Sequence, residues 1–463
     1  MQIPASPQSA AAIDILRKLR TEGHRAYLAG GCVRDLLLGR EPKDYDVATS
    51  ATPEIVLDMF PRTFAVGAHF GVVLVSAEFR GESTLTEVAT FRTDGAYSDG
   101  RRPDEVCYTK SAEEDVQRRD FTINGLLLNP LSNDPDSRAS VLDYVEGLAD
   151  LQSGIIRAIG DPINRFEEDH LRMLRAVRFA ARFQFRIDPA TLAAIQSLAR
   201  KIESVSRERV RDELTRMLTE GHARNAFELL DSTGLLAQVL PEVSRLKGVA
   251  QPPQFHPEGD VWTHTLMLLE QLESSSSMTL AWGALLHDIG KPATYQPPSG
   301  PGDRIRFNGH VEIGVSIAAD ICRRLRFSNE ETAHILALVE NHMRFGDAPR
   351  MKVSTLKRFF RLDRFSEHLA LHRMDCMASS GNLDYYHFAR ERYESMPLDE
   401  VRPTPLLTGR DLITAGYQPG AAFKTMLHAV EEAQLEGAIR TTEEALELVR
   451  RQFPAITHAG KNE

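Results

Sequence analysis

The hydrophobic pattern of this 463-residue chain changes after the first 130 residues, and this change constrains the fold more than any other feature. Residues 11–130 combine helix-like patterns at 11–20 and 112–126 with short β-like runs at 27–29, 71–76 and 86–91. From residue 163 onward, apolar side chains recur every three or four positions and predict helices up to about Phe453. The sequence therefore predicts an α+β protein, in which a small α/β domain precedes an all-α remainder.

Polar and proline-rich stretches predict where the domains meet. The boundary candidates are SNDPDSRAS at 132–140, QPPQFHPEG at 251–259 and RPTPLLTG at 402–409. We expect four segments on this basis: a head at 1–145, a helical neck at 146–250, a third domain at 251–400 and a helical tail at 401–463.

Composition excludes several classes of protein. The chain is 42% hydrophobic with a net charge of −10, which fits a folded protein and argues against a globally basic coat for nucleic acid. No leader pattern and no run of ~20 apolar residues is present, so we expect no membrane partner. The four cysteines, which form no CxxC pair, predict free thiols in a reducing cytoplasm: Cys32, Cys107, Cys322 and Cys376.

Two glycines mark a candidate phosphate site. Gly30 and Gly31 lie between a predicted strand and a helix expected from about Val33. Glycines let the backbone approach a phosphate, and the helix N-terminus offers unpaired N–H groups. An ordinary turn has the same pattern, so the glycines alone leave both interpretations open.

A pair of carboxylates follows this turn. Asp44 and Asp46 are two residues apart, so on a strand both point to one face and need a cation between them. Phosphoryl transfer with two Mg²⁺ ions uses such a pair. Glu87 is a third candidate if its strand lies beside them, and solvated strand positions are the alternative for all three residues.

The segment RRDFTIN carries further candidates. Arg118, Arg119 and Asp120 come just before a helical pattern in which Asn124 follows one turn after Asp120. Asp120 is therefore either a site residue or a helix cap.

A charged helix in the neck offers a way to recognise a base. Glu168, Asp169, Arg172 and Arg175 are three or four residues apart and are expected on one side of a helix. A surface ladder of ion pairs is one interpretation. In the other, Asp169 accepts a hydrogen bond from an exocyclic amine and Arg172 donates one to a ring nitrogen, a pattern that selects cytosine and adenine over uracil and guanine.

The motifs GGCVRD, DYD, TEVATFR, RRDFTIN and EDHLR resemble, in this order, those of the class II tRNA nucleotidyltransferase and bacterial poly(A) polymerase family. The resemblance implies a nucleotidyltransferase head in which Asp44 and Asp46 bind metal. It further implies that Gly30, Gly31 and Arg34 meet the triphosphate, and that Glu168, Asp169 and Arg172 select CTP and ATP. The remaining nucleotide-binding candidates are Asp120, Asn124, Arg175 and Arg178.

The loop after the third β-like run bears on how many nucleotides are added. FRTDGAYSDGRRPDEV at 91–106 has the composition of a mobile loop and carries Arg92, Arg101 and Arg102. In the resembling family, such a loop is tied to the switch from adding C to adding A. Its presence favours a full CCA adder over one that adds only CC.

A second constellation lies in the third domain. His and carboxylate side chains suit a divalent metal, and the candidates are His264, His287, Asp288, His310, His342 and Asp375. They resemble the HD superfamily of metal-dependent phosphohydrolases over roughly residues 255–380. The resemblance implies His264, His287, Asp288 and Asp375 on one metal ion, with His310 and His342 on a second, and a scaffold without activity is the alternative.

These observations predict an enzyme that transfers CMP, CMP and AMP from CTP and ATP to the 3′ end of tRNA with Mg²⁺. Its HD domain would hydrolyse 2′,3′-cyclic phosphates or phosphomonoesters with Mn²⁺, Ni²⁺ or Mg²⁺. A poly(A) polymerase is the nearest alternative, and an HD nucleotide hydrolase with a non-catalytic head is the alternative from another class. Residues 165–224 hold 13 basic against 9 acidic side chains, a modest basic strip suited to RNA, and the tail is expected to anchor RNA. We expect a monomer or homodimer.

Overall fold

The computed structural model describes residues 3–67, 71–79, 82–95, 106–131 and 140–454. Most of the predicted loop, including Arg101 and Arg102, lies outside these residues, as does most of the boundary at 132–140. The chain forms two structural units. The first comprises Met1–Arg245, Leu272–Ser276 and Arg324–Arg326, and the second comprises Leu246–Gln271, Ser277–Arg323 and Phe327–Glu463.

The elements up to residue 153 are α1 (Pro7–Thr21), β1 (Ala26–Ala29), α2 (Gly31–Leu37), β2 (Val47–Thr49), α3 (Pro53–Met59), β3 (Thr63–Gly67), β4 (Val72–Phe79), β5 (Glu82–Thr90), β6 (Arg92–Asp94), β7 (Val106–Tyr108), α4 (Ala112–Gln117), a 3₁₀ turn (Thr122–Asn124), β8 (Leu127–Leu128), β9 (Val141–Leu142) and α5 (Gly147–Ser153).

The elements from residue 155 to residue 244 are β10 (Ile155–Ile156), α6 (Pro162–Glu168), α7 (Leu171–Phe183), β11 (Arg186–Ile187), α8 (Pro189–Leu198), a 3₁₀ turn (Ala199–Ser204), α9 (Arg207–Thr219), α10 (Ala223–Ser232), α11 (Leu235–Val239) and α12 (Pro241–Ser244).

The elements after residue 260 are α13 (Val261–Glu270), α14 (Met278–Leu286), α15 (Lys291–Thr294), α16 (His310–Arg324), α17 (Asn329–Asn341), a 3₁₀ stretch (His342–Arg350), α18 (Val353–Phe360), α19 (Phe365–Ala378), α20 (Asp384–Ser395), α21 (Leu398–Val401), α22 (Gly409–Thr414), α23 (Ala422–Leu435) and α24 (Thr442–Gln452).

A mixed seven-stranded sheet organises the first part of the chain. Its strand order is β3-β4-β5-β2-β1-β8-β9, in which β2 and β5 are parallel and the other neighbours are antiparallel. The predicted β-like runs correspond to β1, β4 and β5. Because β1 and β2 are antiparallel neighbours, the turn after β1 and the segment entering β2 lie side by side at the same end of the two strands.

The helix predicted over 112–126 is present only in its first part, as α4. The α4 helix ends at Gln117, and Phe121 is fully buried with extended backbone, φ −129° and ψ 148°. Asp120 favours this break because its carboxylate accepts hydrogen bonds from the Phe121 amide and from the Asn124 side chain. The α+β class is confirmed, since β10 and β11 are the last strands and the elements named after them are helical.

Helix α14 forms the centre of the second unit. All of its residues except Met278 are buried, which is typical of a helix surrounded by other helices. The α13, α17 and α19 helices pack against it. The tail has its own small core around Leu412, Val430 and Val449. In the part of the chain that the structure describes, no helix has both the length and the apolar character that a membrane crossing requires.

Candidate active sites

The first candidate site is an open cleft of about 550 Å³ in the first unit, beside the shared position of β1, β2 and β5. Asp46 and Glu87 both line it. Their proximity follows from the strand register. Val47 pairs with Val88 in the parallel strands β2 and β5, and Asp46 and Glu87 are the residues immediately before this pair. The strand of Glu87 therefore lies beside the segment of Asp46, which is the condition on which Glu87 was a third candidate.

Asp44 and Asp46 lie in the segment entering β2, not on the strand itself, because β2 begins at Val47. The segment is still held to the sheet, since the Ala29 amide donates a hydrogen bond to the Asp46 carbonyl. Asp44 is exposed, Tyr45 is buried and Asp46 is half-buried, so the alternation expected of a strand is preserved.

The electrostatics of Asp46 fit a cation site. Burial, together with the charges of Glu87 and Asp44, raises the pKa of Asp46 to about 7, while the charge of Arg119 opposes the shift. A carboxyl group in this environment ionises readily only when a cation is near. Oxygen ligands of this kind are those that Mg²⁺ prefers, so the residues present fit that ion.

Gly30 is required by the turn that follows β1. Its φ is +69°, and a Cβ there would lie 3.2 Å from Arg119 Nη1. The α2 helix begins at Gly31, earlier than the predicted start at Val33. The Gly30 amide donates to the Leu126 carbonyl, so the predicted phosphate contact cannot use this N–H without breaking that bond.

A chain of hydrogen bonds crosses the floor of the cleft. Arg34 Nη1 donates to Asn124 Oδ1 at 2.6 Å, Asn124 Nδ2 donates to Asp120 Oδ1 at 3.0 Å, and Arg175 Nε donates to Asp120 Oδ2 at 2.8 Å. Burial alone would raise the pKa of Asp120, but Arg175 and Asn124 outweigh it and lower the pKa to about 2. Asp120 is thus an ionised residue that orders the two arginines.

The residues predicted to read the base lie at a break between two helices, which corrects the single helix predicted for them. The α6 helix ends at Glu168, and Asp169 is extended with φ −148° before α7 begins at Leu171. The break is stabilised because Asp169 Oδ1 accepts a hydrogen bond from the Leu171 amide at 3.1 Å. Asp169, Arg172 and Arg175 nevertheless all line the cleft.

Asp169 and Arg172, the two residues predicted to read the base, are each held by a partner. Arg209 binds both carboxylate oxygens of Asp169, at 3.2 and 2.6 Å, and Arg172 forms an ion pair with Glu168. Bidentate pairs fix the plane of a carboxylate as well as its position. Of the predicted ladder of ion pairs, the Glu168–Arg172 pair is present, whereas Asp169 pairs with Arg209 on α9.

Arg178 also lines the cleft. It is buried, donates to Glu213 Oε2 at 2.6 Å and lies 4.3 Å from the centroid of the Phe179 ring. Sequence reasoning missed Arg209 and Arg216, which also line the cleft. Their spacing of seven residues, two turns of α9, was a signal that they share one helix face.

The second candidate site is a cluster of imidazoles around Asp288 in the second unit. The Nε2 atom of His287 lies 3.1 Å from Asp288 Oδ2, and those of His310 and His342 lie 3.8 and 3.7 Å from Asp288 Oδ1. The Nε2 atom of His264 lies 3.7 Å from Asp288 Oδ2 and 3.1 Å from Asp375 Oδ1. All six residues predicted from the sequence are thus brought together.

The hydrogen bonds on the outer side of the cluster fix which nitrogen faces inward. The Nδ1 atoms lie 2.7–2.9 Å from acceptors: a backbone carbonyl for His287, His310 and His342, and Glu258 Oε1 for His264. Carbonyl and carboxylate oxygens only accept, so each Nδ1 carries the proton. A neutral ring then presents a bare Nε2 lone pair to the centre, which is how imidazole binds a metal.

The cluster contains polar atoms that its own residues do not satisfy. Among the described residues, the buried Nε2 atoms of His310 and His342 have no hydrogen-bond partner, and burial lowers the pKa of His342 to about 4. The Nε2 atoms of His264 and His287 face each other at 3.3 Å. Hydrogen bonds to Asp375 and Glu258 outweigh burial and raise the pKa of His264 to about 9, so this site also favours a positive charge. The donor set fits one or two divalent metal ions that share Asp288.

Sequence reasoning missed three residues around this cluster. Glu258 Oε1 lies 2.8 Å from His264 Nδ1 and also 2.8 Å from His256 Nδ1. Lys291 Nζ lies 2.7 Å from Asp288 Oδ2. Lys291 was readable in HDIGK, one helical turn after Asp288, whereas Glu258 lies in a proline-rich stretch that was interpreted only as a boundary.

Three family models match the chain. They are the poly A polymerase head domain over residues 26–157, the probable RNA and SrmB-binding site of polymerase A over 184–246, and the HD domain over 260–375.

Curated relatives are consistently CCA-adding enzymes. The enzyme of Lactobacillus johnsonii is 40% identical over 264 residues, which cover 56% of this chain and 64% of that one, so this match spans less than two thirds of the relative. The enzyme of Lacticaseibacillus paracasei is 31% identical over 435 residues, which cover 94% of both chains.

Solved structures agree with the sequence matches. The crystal structure of the Bacillus stearothermophilus CCA-adding enzyme in complex with CTP has 28% identity and a TM-score of 0.71, and the match covers 97% of this chain and 98% of that one. The Thermotoga maritima CCA-adding enzyme complexed with tRNA has 18% identity and a TM-score of 0.56, which shows a shared fold. The motif resemblance is confirmed, and the chain belongs to the family of CCA-adding enzymes.

Proposed function

We propose that this chain is a tRNA nucleotidyltransferase that adds C, C and A to the 3′ end of tRNA from CTP and ATP. The observation that carries the proposal is one cleft in which Asp46 and Glu87 face the same space as Asp169 and Arg172. The first pair suits catalysis and the second suits base recognition. Membership of the CCA-adding family supports the same substrates.

Each group in the cleft has a defined part in the reaction. The RNA 3′-hydroxyl oxygen attacks the α-phosphorus, its proton is lost, and the bond to pyrophosphate breaks. Asp44 and Asp46, with Glu87 beside them, would hold Mg²⁺, which activates the hydroxyl and offsets the charge of the leaving group. Arg119 places positive charge near Asp46, and Arg34 lines the same cleft, so both would favour the triphosphate.

The base is read on its pairing edge. Asp169 accepts from the exocyclic amine, and Arg172 donates to the ring nitrogen, which both cytosine and adenine allow. We propose full CCA addition over CC addition and over poly(A) synthesis. We also keep the four predicted segments as functional parts: nucleotidyltransferase head, base-selecting and RNA-binding neck, HD domain and RNA-anchoring tail.

The substitution Asp46→Asn tests the catalytic assignment. We expect addition of CMP and AMP to fall by at least about a thousandfold, because one oxygen charge at the metal site is lost. The control is Asp58→Asn, an exposed carboxylate on α3, which should extend tRNA at the wild-type rate. Wild-type extension by a folded Asp46→Asn variant would refute the assignment.

We propose a phosphohydrolase activity for the HD domain as a second function. The supporting observation is the convergence of bare imidazole nitrogens on Asp288, which fits Mn²⁺, Ni²⁺ or Mg²⁺. Water oxygen would add to the phosphorus of a 2′,3′-cyclic phosphate, one ring P–O bond would break, and the released ribose oxygen would take a proton. The product is a phosphomonoester at an RNA 3′ end, which a second hydrolysis converts to a free hydroxyl.

The double substitution His287→Ala with Asp288→Ala tests this activity with 2′,3′-cyclic AMP as substrate. We expect hydrolysis to disappear while tRNA extension continues, because the other cleft keeps its residues. His428→Ala, an exposed imidazole on α23, is the control. Unchanged hydrolysis in the double variant would show that its source lies elsewhere.

We further propose that the enzyme works in the cytoplasm as a monomer or homodimer. The four cysteines form no disulfide, and burial raises the pKa of the Cys32 and Cys322 thiols to about 12. Such thiols are unreactive and suit a reducing compartment.

A further inference from the structure

The imidazole cluster opens into a cleft of about 640 Å³ whose other walls include aromatic and basic side chains. Asp288, His310 and His342 line its inner end. Phe255 and Tyr385 line the same cleft, as does Arg304, and we call these three residues the aromatic rim. A metal site that served phosphate alone would need only its ligands and a cation.

The two aromatic side chains of the rim are exposed to solvent. The Phe255 residue is 50% exposed, and Tyr385 is 42% exposed. The backbone that carries Phe255 is held in a turn, because its amide donates to the Pro252 carbonyl at 3.0 Å. A half-exposed phenyl ring beside the imidazole cluster is a surface on which a nucleobase can stack.

Arg304 adds a positive charge at the same place. Its guanidinium lies 5.8 Å from the centroid of the Phe255 ring. In the described ranges no carboxylate pairs with it, whereas its neighbour Arg306 is 2.6 Å from Asp303. An antiparallel β-bridge pairs Gln296 with Arg306, and Arg304 lies in the loop that this bridge closes.

We propose that the aromatic rim is the nucleoside subsite of the HD centre. The base of a terminal nucleotide stacks on Phe255, and Arg304 offsets the charge of its phosphate, while that phosphate reaches Asp288 and the imidazoles. The inference deepens the proposed phosphohydrolase function and rests on it. It assigns the substrate class as base-bearing phosphate esters of any sequence, because stacking does not distinguish bases.

The test compares two cyclic phosphodiesters that differ in the nucleoside. The substrates are 2′,3′-cyclic AMP and glycerol 1,2-cyclic phosphate, each hydrolysed by the full-length enzyme loaded with Mn²⁺, Ni²⁺ or Mg²⁺ in turn. The measured quantity is the ratio of their kcat/KM values. We expect Phe255→Ala to lower this ratio about tenfold through KM for the nucleotide, the size typical of one lost stacking contact, and Phe255→Trp to restore it.

Matched variants control for nonspecific effects. Phe64→Ala removes a phenylalanine that is 52% exposed in the first unit, and Arg323→Gln removes an exposed arginine from α16. Both should keep the wild-type ratio, whereas Arg304→Gln should lower kcat/KM for both esters alike, because both carry the phosphate charge that Arg304 offsets. A transcript ending in a 2′,3′-cyclic phosphate forms a third arm. Preference for the transcript identifies an RNA end as the source of the nucleotide, and preference for 2′,3′-cyclic AMP identifies free nucleotides.

The possible failures are distinguishable. If the wild type hydrolyses both cyclic esters and Phe255→Ala leaves their ratio unchanged, the nucleoside subsite is refuted while the hydrolase stands. If the wild type hydrolyses neither ester with any of the three metals, the hydrolase proposal falls and the subsite falls with it.

Discussion

Asp46 and Asp120 show how the same residue type acquires opposite properties within one cleft. Burial by itself would raise the pKa of both carboxyl groups. For Asp46, the charges of Glu87 and Asp44 act in the same direction, and its pKa rises to about 7. Asp120 faces Arg175 and Asn124, and its pKa falls to about 2. Asp46 therefore calls for an added cation, whereas Asp120 already has one, which is why we assign metal binding to the first and positioning to the second.

Arg209 offers the sharpest residue-scale test of base recognition. The substitution Arg209→Gln should release Asp169 from its bidentate partner and let its carboxylate rotate. We expect the preference for CTP over UTP, measured as a ratio of kcat/KM values, to fall about tenfold, the effect of a carboxylate that is no longer pre-oriented.

The control for this prediction is Arg200→Gln, an exposed arginine just after α8. It should keep the wild-type preference for CTP. Undiminished selectivity in a folded Arg209→Gln variant would mean that Asp169 does not need Arg209 to discriminate between bases.

The sequence was sufficient to name most residues at this scale because their chemistry is local. Two carboxylates two residues apart, or a histidine followed by an aspartate, are candidates for a cation site that can be identified from neighbouring residues alone. Partners distant in the chain, such as Arg209 for Asp169 or Glu258 for His264, depend on which helices and loops meet. Nothing in a single sequence specifies those meetings.

At the scale of elements, the errors fall where side chains compete with the helical backbone. Residues 112–126 and 163–183 both have helical periodicity, yet both are interrupted at an aspartate that binds a backbone amide. Asp120 and Asp169 thereby turn their carboxylates into the cleft. The periodicity of the sequence did not predict these two interruptions, and the residues at them contribute to the candidate site.

Gly290 carries the element-scale prediction. A Cβ at this position would lie 2.1 Å from the His310 carbonyl and 2.6 Å from the Gly314 amide nitrogen, so α16 packs directly on its backbone. The substitution Gly290→Ala should push His310 out of the cluster. We expect hydrolysis of 2′,3′-cyclic AMP to fall at least about tenfold and the free energy of unfolding to drop by about 1–3 kcal/mol, the usual cost of overpacking.

Gly346→Ala is the matched control, because no heavy atom lies within 4 Å of its added Cβ. Each variant is measured for its stability, by circular dichroism during thermal unfolding, and for its rate of hydrolysis. Full hydrolysis by Gly290→Ala would show that α16 can shift without disturbing the metal ligands.

At the scale of the whole molecule, each structural unit contains its own candidate site. The carboxylate cleft is built from residues of the first unit, and the imidazole cluster from residues of the second. The order of the motifs along the chain predicted this division, since no motif of one site is interleaved with those of the other.

The most direct test of the central claim is the length of the product. A tRNA transcript lacking CCA is incubated with the protein and Mg²⁺, with CTP and ATP given singly and together, and the products are resolved to one nucleotide. We predict two added nucleotides with CTP alone and a stop after three with both. A stop at CC, a long ladder of A, or no extension would contradict the assignment of this chain as a CCA-adding enzyme.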